Sequence, residues 1–227
     1  MSFRTEYMVS MTCQGCVDSI TKALATVPGI ERYEVNLSNK TVLVEGTASP
    51  ARTAQTLQDL GRTAIVRGLG SKDGAAVCIL EKHDPTDSNM NVFGLARFVE
   101  ASASLTLCDL TVRGLPRGQY EAHIYTTGDV RNGMHTAGSI WDRGYLGGVD
   151  VNGQGKGQIL LEKKDLRIWE IIGRALVLKM KDEQTDNIAG VIARSAGLWE
   201  NQKTVCTCSG QNVWDERQEM LKSASTL

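Results

Sequence analysis

The sequence predicts two unlike folds in series: an α+β ferredoxin-like (βαββαβ) domain over residues 1–70 and an all-β sandwich or barrel over 75–200, followed by a short tail over 201–227. Three observations predict it. Apolar periodicity near the start runs in the order β-α-β-β-α-β, and helical periodicity almost vanishes after a linker containing Gly68, Gly70 and Gly74. Four of the six cysteines lie near the ends, Cys13 with Cys16 and Cys206 with Cys208, leaving Cys78 and Cys108 isolated between them. A chain of 227 residues has room for one small and one mid-sized core.

Residues 3–10 are β-branched and aromatic and predict a strand. After the loop from Met11 to Cys16, Val17, Ile20, Leu24 and Val27 mark a helical stripe, which Pro28 and Gly29 stop. Strands at 30–36 and 40–46 follow, joined around Ser38 and Asn39. Ser49 can cap a second helix with Pro50 in its first turn and Leu57 and Leu60 facing inward, before Gly61 ends it and 63–67 adds a strand. In the second domain, short strands are expected at 75–81, 92–100, 105–113, 120–126, 157–162, 175–180 and 188–193, separated by turns containing Gly and Asp. The remaining tail is too small for a core of its own.

Composition removes several function classes. Twenty-five basic against 26 acidic residues give a formal net charge of -1, too balanced for a protein that tracks phosphate backbones, so no nucleic-acid partner is expected. No stretch approaches the roughly 20 apolar residues of a membrane span, and the first residues lack an apolar signal core. The expectation is a soluble, cytoplasmic protein without stable membrane insertion. In a reducing compartment its cysteines read as thiols, metal ligands or redox groups rather than a disulfide framework.

A Cys-x-x-Cys between a strand and a helix places two sulfurs on one ion, with the helix-start amides favouring the thiolates. Zinc normally takes four ligands, and no second pair stands at finger or ribbon spacing; two thiolates suit Cu(I), a soft monovalent ion. Thioredoxin-like redox chemistry uses the same junction and stays open on these residues alone. Met11 is a third sulfur at this loop, or a core plug. Cys206 and Cys208 alternate along an extended chain and can meet one ion; a disulfide between them would be strained and would pass its oxidation to another thiol readily. They also read as two surface cysteines in a tail. Cys78 and Cys108 alternate with apolar neighbours and read as core residues.

Gly114-Leu115, the run from Gln119 to Tyr125, Gly128-Asp129, Thr136-Ala137-Gly138, the run from Ile171 to Leu178 and Gly190-Val191-Ile192 occur in the order of the signature segments of Cu/Zn superoxide dismutase, which the region 75–195 resembles. The resemblance implies that enzyme's Greek-key sandwich or barrel. It also implies no intact copper or zinc site. His123 matches a copper histidine, while Tyr125, Ile140 and Lys179 occupy the other three copper positions. Met134 and Ala189 stand where the enzyme has its internal disulfide, Asp186 roughly replaces its active-site arginine, and 142–151 looks like a truncated zinc loop. With only three histidines in the chain, His83, His123 and His135, a four-histidine site cannot be rebuilt. His123 reads as a structural remnant.

Together with the first domain, which looks like the heavy-metal-associated copper carriers, and with the Cys-x-Cys tail, the whole chain resembles the copper chaperones for superoxide dismutase. The resemblance implies Cu(I) on Cys13, Cys16, Cys206 and Cys208, with Cys206 and Cys208 also in thiol-disulfide transfer. It implies docking on immature Cu/Zn superoxide dismutase as a heterodimer through the middle domain, with Gly190, Val191 and Ile192 on the docking strand. It allows a homodimer, and a minor population in the mitochondrial intermembrane space. Two rivals remain at this stage: a divergent dismutase with a fused copper-uptake domain, and a Cu(I) buffer without a client.

Overall fold

A computed structural model describes residues 3–68, 74–83, 92–181 and 187–195. The described residues divide into two compact units, 3–68 and 74–195, and those of each unit form one sheet. Among the described residues, no helix is long and apolar enough to cross a membrane.

The first unit runs β1 (Phe3–Val9), α1 (Gln14–Leu24), β2 (Ile30–Asn36), β3 (Thr41–Gly46), α2 (Pro50–Asp59) and β4 (Ala64–Gly68). Its antiparallel sheet has the order β2-β3-β1-β4, the ferredoxin-like arrangement in which both helices pack on one face. The Ser49 hydroxyl accepts the Arg52 amide at 3.2 Å and caps α2, with Pro50 at its start. The Tyr7 hydroxyl, buried under the sheet, donates to the Pro50 carbonyl at 3.1 Å and ties β1 to that cap.

Two details of the predicted helices change. The buried stripe of α1 is Cys16, Ile20 and Leu24, at i, i+4 and i+8; Val17, expected in the stripe, is only half-buried. The stripe therefore draws one cysteine inward. Leu57 is fully buried as expected, but Leu60 lies past the last helical turn and is 38% exposed, because the backbone there has left the helical period.

The second unit contains β5 (Ala75–Glu81), β6 (Val92–Ser102), β7 (Leu105–Val112), β8 (Gly118–Tyr125), β9 (Ile140–Val151), β10 (Gly157–Lys164), a one-turn helix α3 (Ile168–Ile171), β11 (Ala175–Met180), β12 (Asn187–Val191) and β13 (Ala193–Arg194). The strands form one antiparallel sheet of order β10-β7-β6-β5-β12-β11-β8-β9, with β13 also on β5. Its two ends, β9 and β10, touch and are joined by a turn in which the Asn152 amide donates to the Lys156 carbonyl at 2.9 Å, so the sheet nearly closes into a barrel. The chain crosses between non-adjacent strands after β7 and after β10, as in a Greek key. Alternate residues, among them Cys78, Phe98, Cys108, Leu110, Tyr120, Ile124 and Leu178, fill the interior.

Strand β9 was not foreseen. The segment 142–151, read as a remnant zinc loop, is most of a twelve-residue strand whose Gly144, Gly147 and Gly148 imitate a turn signal. A side chain at Gly144 would overlap the carbonyl oxygen of Ile124 on β8, so glycine there reflects close backbone approach rather than a turn.

Candidate metal centre and docking face

Strand β1 ends at Val9, and the Ser10 amide donates to Thr63 O at 2.9 Å, anchoring the start of the cysteine loop beside β4. Met11 is almost fully buried and plugs the core beneath the loop. Cys13 is the residue that opens α1, with extended backbone angles and an exposed side chain; Cys16, one turn on, is 8% exposed. Their sulfurs are 3.6 Å apart, well beyond a disulfide bond and close enough to share an ion. The Thr12 hydroxyl lies 3.7 Å from the Cys16 sulfur, and the Cys16 amide donates to the Cys13 carbonyl at 3.0 Å.

These donors change the chemistry of Cys16. Hydrogen bonds from the Thr12 backbone and hydroxyl, then from Cys13, lower its thiol to about 6 against the opposing effect of burial. That favours the thiolate at neutral pH. Arg62 braces the loop from outside, donating to the Ser10 carbonyl at 3.2 Å and to the Ser19 hydroxyl at 3.0 Å, while Ser19 donates to the Cys16 carbonyl at 2.9 Å. Sequence reasoning missed Arg62; the polar spacing of Ser10, Ser19 and Arg62 acquires meaning only when β4 is placed beside the loop. The loop thus presents two sulfurs at different depths, Cys16 against the core and Cys13 facing outward. That is suited to a soft ion that must enter and leave.

Cys206 and Cys208 lie outside the described residues. Cys78 and Cys108 are buried in the barrel, and burial pushes both thiols up, so neither is reactive at neutral pH.

Of the four positions aligned with the dismutase copper histidines, His123 and Lys179 are polar or charged and Tyr125 and Ile140 are not imidazoles. Tyr125, Ala137, Ala175, Val177 and Ala189 form a cluster against which Val130 and Met134 pack, and Tyr125 pairs with Ile140 across β8 and β9. His123 is nearly buried; its Nε2 lies 3.2 Å from Glu121 and its Nδ1 has no hydrogen-bond partner among the described residues. Among the described residues no group of three or more His, Cys, Asp or Glu could hold a metal ion.

The three candidate docking residues differ. Ile192 is fully buried, Gly190 carries no side chain because one would overlap the Ile79 carbonyl, and Val191 is 40% exposed. Val191 has company that sequence reasoning did not assemble. Ile79 on neighbouring β5 is 39% exposed. Gly128 packs on Gly173 and on the Val191 methyl, and the Gly173 amide donates to Ile192 O at 2.8 Å. Trp169 on α3 is 67% exposed, the most exposed large apolar side chain among the described residues. Its signal was the Ile168 and Ile171 pair, which turns inward and leaves the intervening indole facing out. Arg194 is exposed on β13, and Trp199 and Trp214 lie outside the described residues.

Residues 6–63 match the model of the heavy-metal-associated domain. The chain is similar along nearly its whole length to proteins named superoxide dismutase 1 copper chaperone. The one from Debaryomyces hansenii is 39% identical over 97% of this chain and 96% of its own. The one from Saccharomyces cerevisiae is 34% identical over the same shares. A human protein named copper chaperone for superoxide dismutase is 32% identical over 93% of this chain and 88% of its own.

Proposed function

Since the chain belongs to the family of superoxide dismutase copper chaperones, we propose that it carries Cu(I) on Cys13 and Cys16, docks on immature Cu/Zn superoxide dismutase, delivers the ion and promotes the client's disulfide. The relatives are named as chaperones and not as enzymes, and the chain is a metallochaperone without small-molecule turnover. The observation that carries the cargo reading is the 3.6 Å sulfur pair on the strand-helix loop of a heavy-metal-associated fold, with the Cys16 thiolate favoured near pH 7.

A two-coordinate ion lying between opposed sulfurs needs them farther apart than the 3.6 Å that separates Cys13 and Cys16. Buried Cys16 stays and exposed Cys13 swings outward, so the outer sulfur is the first to meet the ion and the one that yields to an incoming thiolate. Client docking uses the exposed apolar side chains of Ile79 on β5, Val191 on β12 and Trp169 on α3, which suit a related β-barrel face. Tyr125, Ile140 and Lys179 at three of the four copper-aligned positions support a middle unit that recruits the client without binding metal there. Once docked, the tail works at high local concentration: a Cys206–Cys208 disulfide, formed beforehand by an external two-electron oxidant such as dioxygen, is attacked by a client thiolate, and the second client thiolate resolves the mixed disulfide, leaving the tail as two thiols and the client oxidised. This reading places the protein with its client in the cytoplasm, with a share in the mitochondrial intermembrane space, which fractionation checks.

Mixing the Cu(I)-loaded chain with disulfide-reduced, zinc-loaded dismutase tests the proposal. Recovery of dismutase activity in the presence of a competing Cu(I) chelator, which silences free Cu(I), is the expected result. An inactive client that free Cu(I) and oxidant do activate would leave only a copper buffer, and superoxide removal by the loaded chain alone would favour the divergent enzyme.

A further inference from the structure

Trp169 sits on a single helical turn of four residues, too short to hold its shape by its own hydrogen bonds. Its orientation is therefore imposed from outside. Ile168 and Ile171 anchor the turn in the barrel core. At its start, a Glu100 carboxylate oxygen accepts both Arg167 Nε and the Ile168 amide at 3.1 Å. At its end, Arg174 Nε donates to the Glu170 carbonyl and Nη1 to the Thr126 carbonyl, each at 2.8 Å. Arg143, from β9, donates to the Asp165 carbonyl at 2.6 Å and to the Glu170 carboxylate.

Arg143 and Arg174 share one further partner. Their guanidinium carbons stand 4.7 and 4.9 Å from the ring centre of Trp141, within cation-π range, and Trp141 itself packs against the barrel core. An indole fixed on β9 thus holds two cations, and each cation grips the turn that carries Trp169. We infer that Trp141, Arg143 and Arg174 form a clasp that positions the Trp169 turn for docking on the client, an inference that rests on the docking reading above. Trp141 and Arg143 are positioning residues: they act through the turn rather than by touching the partner. A pre-ordered anchor loses less side-chain and backbone freedom on association than a loose one, which is how the clasp contributes to affinity.

The test compares Trp141→Leu, Arg143→Gln, Arg143→Lys and Trp169→Ala in the full chain. Amide exchange of residues 168–173 is measured without client, and affinity for disulfide-reduced dismutase by titration. Arg143→Gln and Trp141→Leu are expected to speed exchange across the turn about tenfold at nearly unchanged thermal midpoint. They are expected to weaken client binding about tenfold, with Arg143→Lys recovering part of it. Adding Arg143→Gln to Trp169→Ala should cost little more than Trp169→Ala alone, because the clasp acts through that indole. Unchanged exchange in both clasp variants, or strictly additive affinity losses, would overturn the inference. If the unmodified chain fails to bind the client, the docking reading falls and the exchange comparison alone decides whether the clasp exists.

Discussion

The cysteines of the two units are a controlled comparison in opposite directions. Cys16 in the first unit and Cys78 and Cys108 in the second are all buried, yet the Cys16 thiol falls to about 6 while the other two rise. Burial by itself predicts a raised thiol in all three. Cys78 and Cys108 lie deep in the barrel, where desolvation outweighs even the backbone hydrogen bond from Leu176 to Cys78. Cys16 instead sits at the rim of its unit, and the loop at the start of α1 aims donors at it. Depth of burial and the donors around the sulfur together decide which thiol ionises.

The largest expected effect is on copper. In a chain already lacking Cys206 and Cys208, Cys16→Ser should abolish Cu(I) binding, whereas Cys78→Ala should leave a stoichiometry of one, as read by competition with a chromophoric Cu(I) chelator. Thiol labelling comes next. At pH 7, iodoacetamide should modify Cys16 at least about a hundredfold faster than Cys78 or Cys108, which react only through opening of the barrel. The Cys16 rate should rise through about pH 6, where its thiolate forms, as followed by mass spectrometry. The sign for stability follows: a thiol whose ionisation is favoured by folding contributes stability fully above its unfolded value near 9, and that contribution is lost as pH falls through about 6.

Exchanging sulfur for oxygen separates the units less strongly. Cys108→Ser places a hydroxyl in an apolar barrel and should cost about 1–3 kcal/mol in urea unfolding, while Cys13→Ser, at an exposed helix start, should change stability by less than about 0.5 kcal/mol. The smallest effect is expected from Thr12→Val, which removes the hydroxyl near Cys16 but keeps the backbone donor. The pH midpoint of Cys16 labelling should move upward without copper binding being lost; a midpoint that stays in place would assign the whole effect to the backbone.

Some of this could be read directly along the chain. The six elements of the first unit, the strands of the second from Ala75 to Met180 except β9, and the strand-helix position of Cys13 and Cys16 all follow from local patterns of apolar spacing, caps and breakers. Strand β9 escaped because close approach to Ile124 and a turn both call for glycine, and a linear pattern does not distinguish them. The one-residue error in the α1 stripe has the same origin: Val17 and Cys16 are both apolar enough to face inward, and the packing of α1 on the sheet selects Cys16.

Element order and the spacing of Cys13 and Cys16 are therefore properties of the one-dimensional pattern, since neighbours within a few residues suffice to specify them. Which sulfur turns inward, which carbonyls Arg62 and Arg143 reach, and the meeting of Ile79, Gly128, Gly173 and Val191 on one face belong to the folded molecule. Those contacts join residues tens of positions apart, and only strand pairing and core packing bring such distant groups within reach of a hydrogen bond or a van der Waals contact.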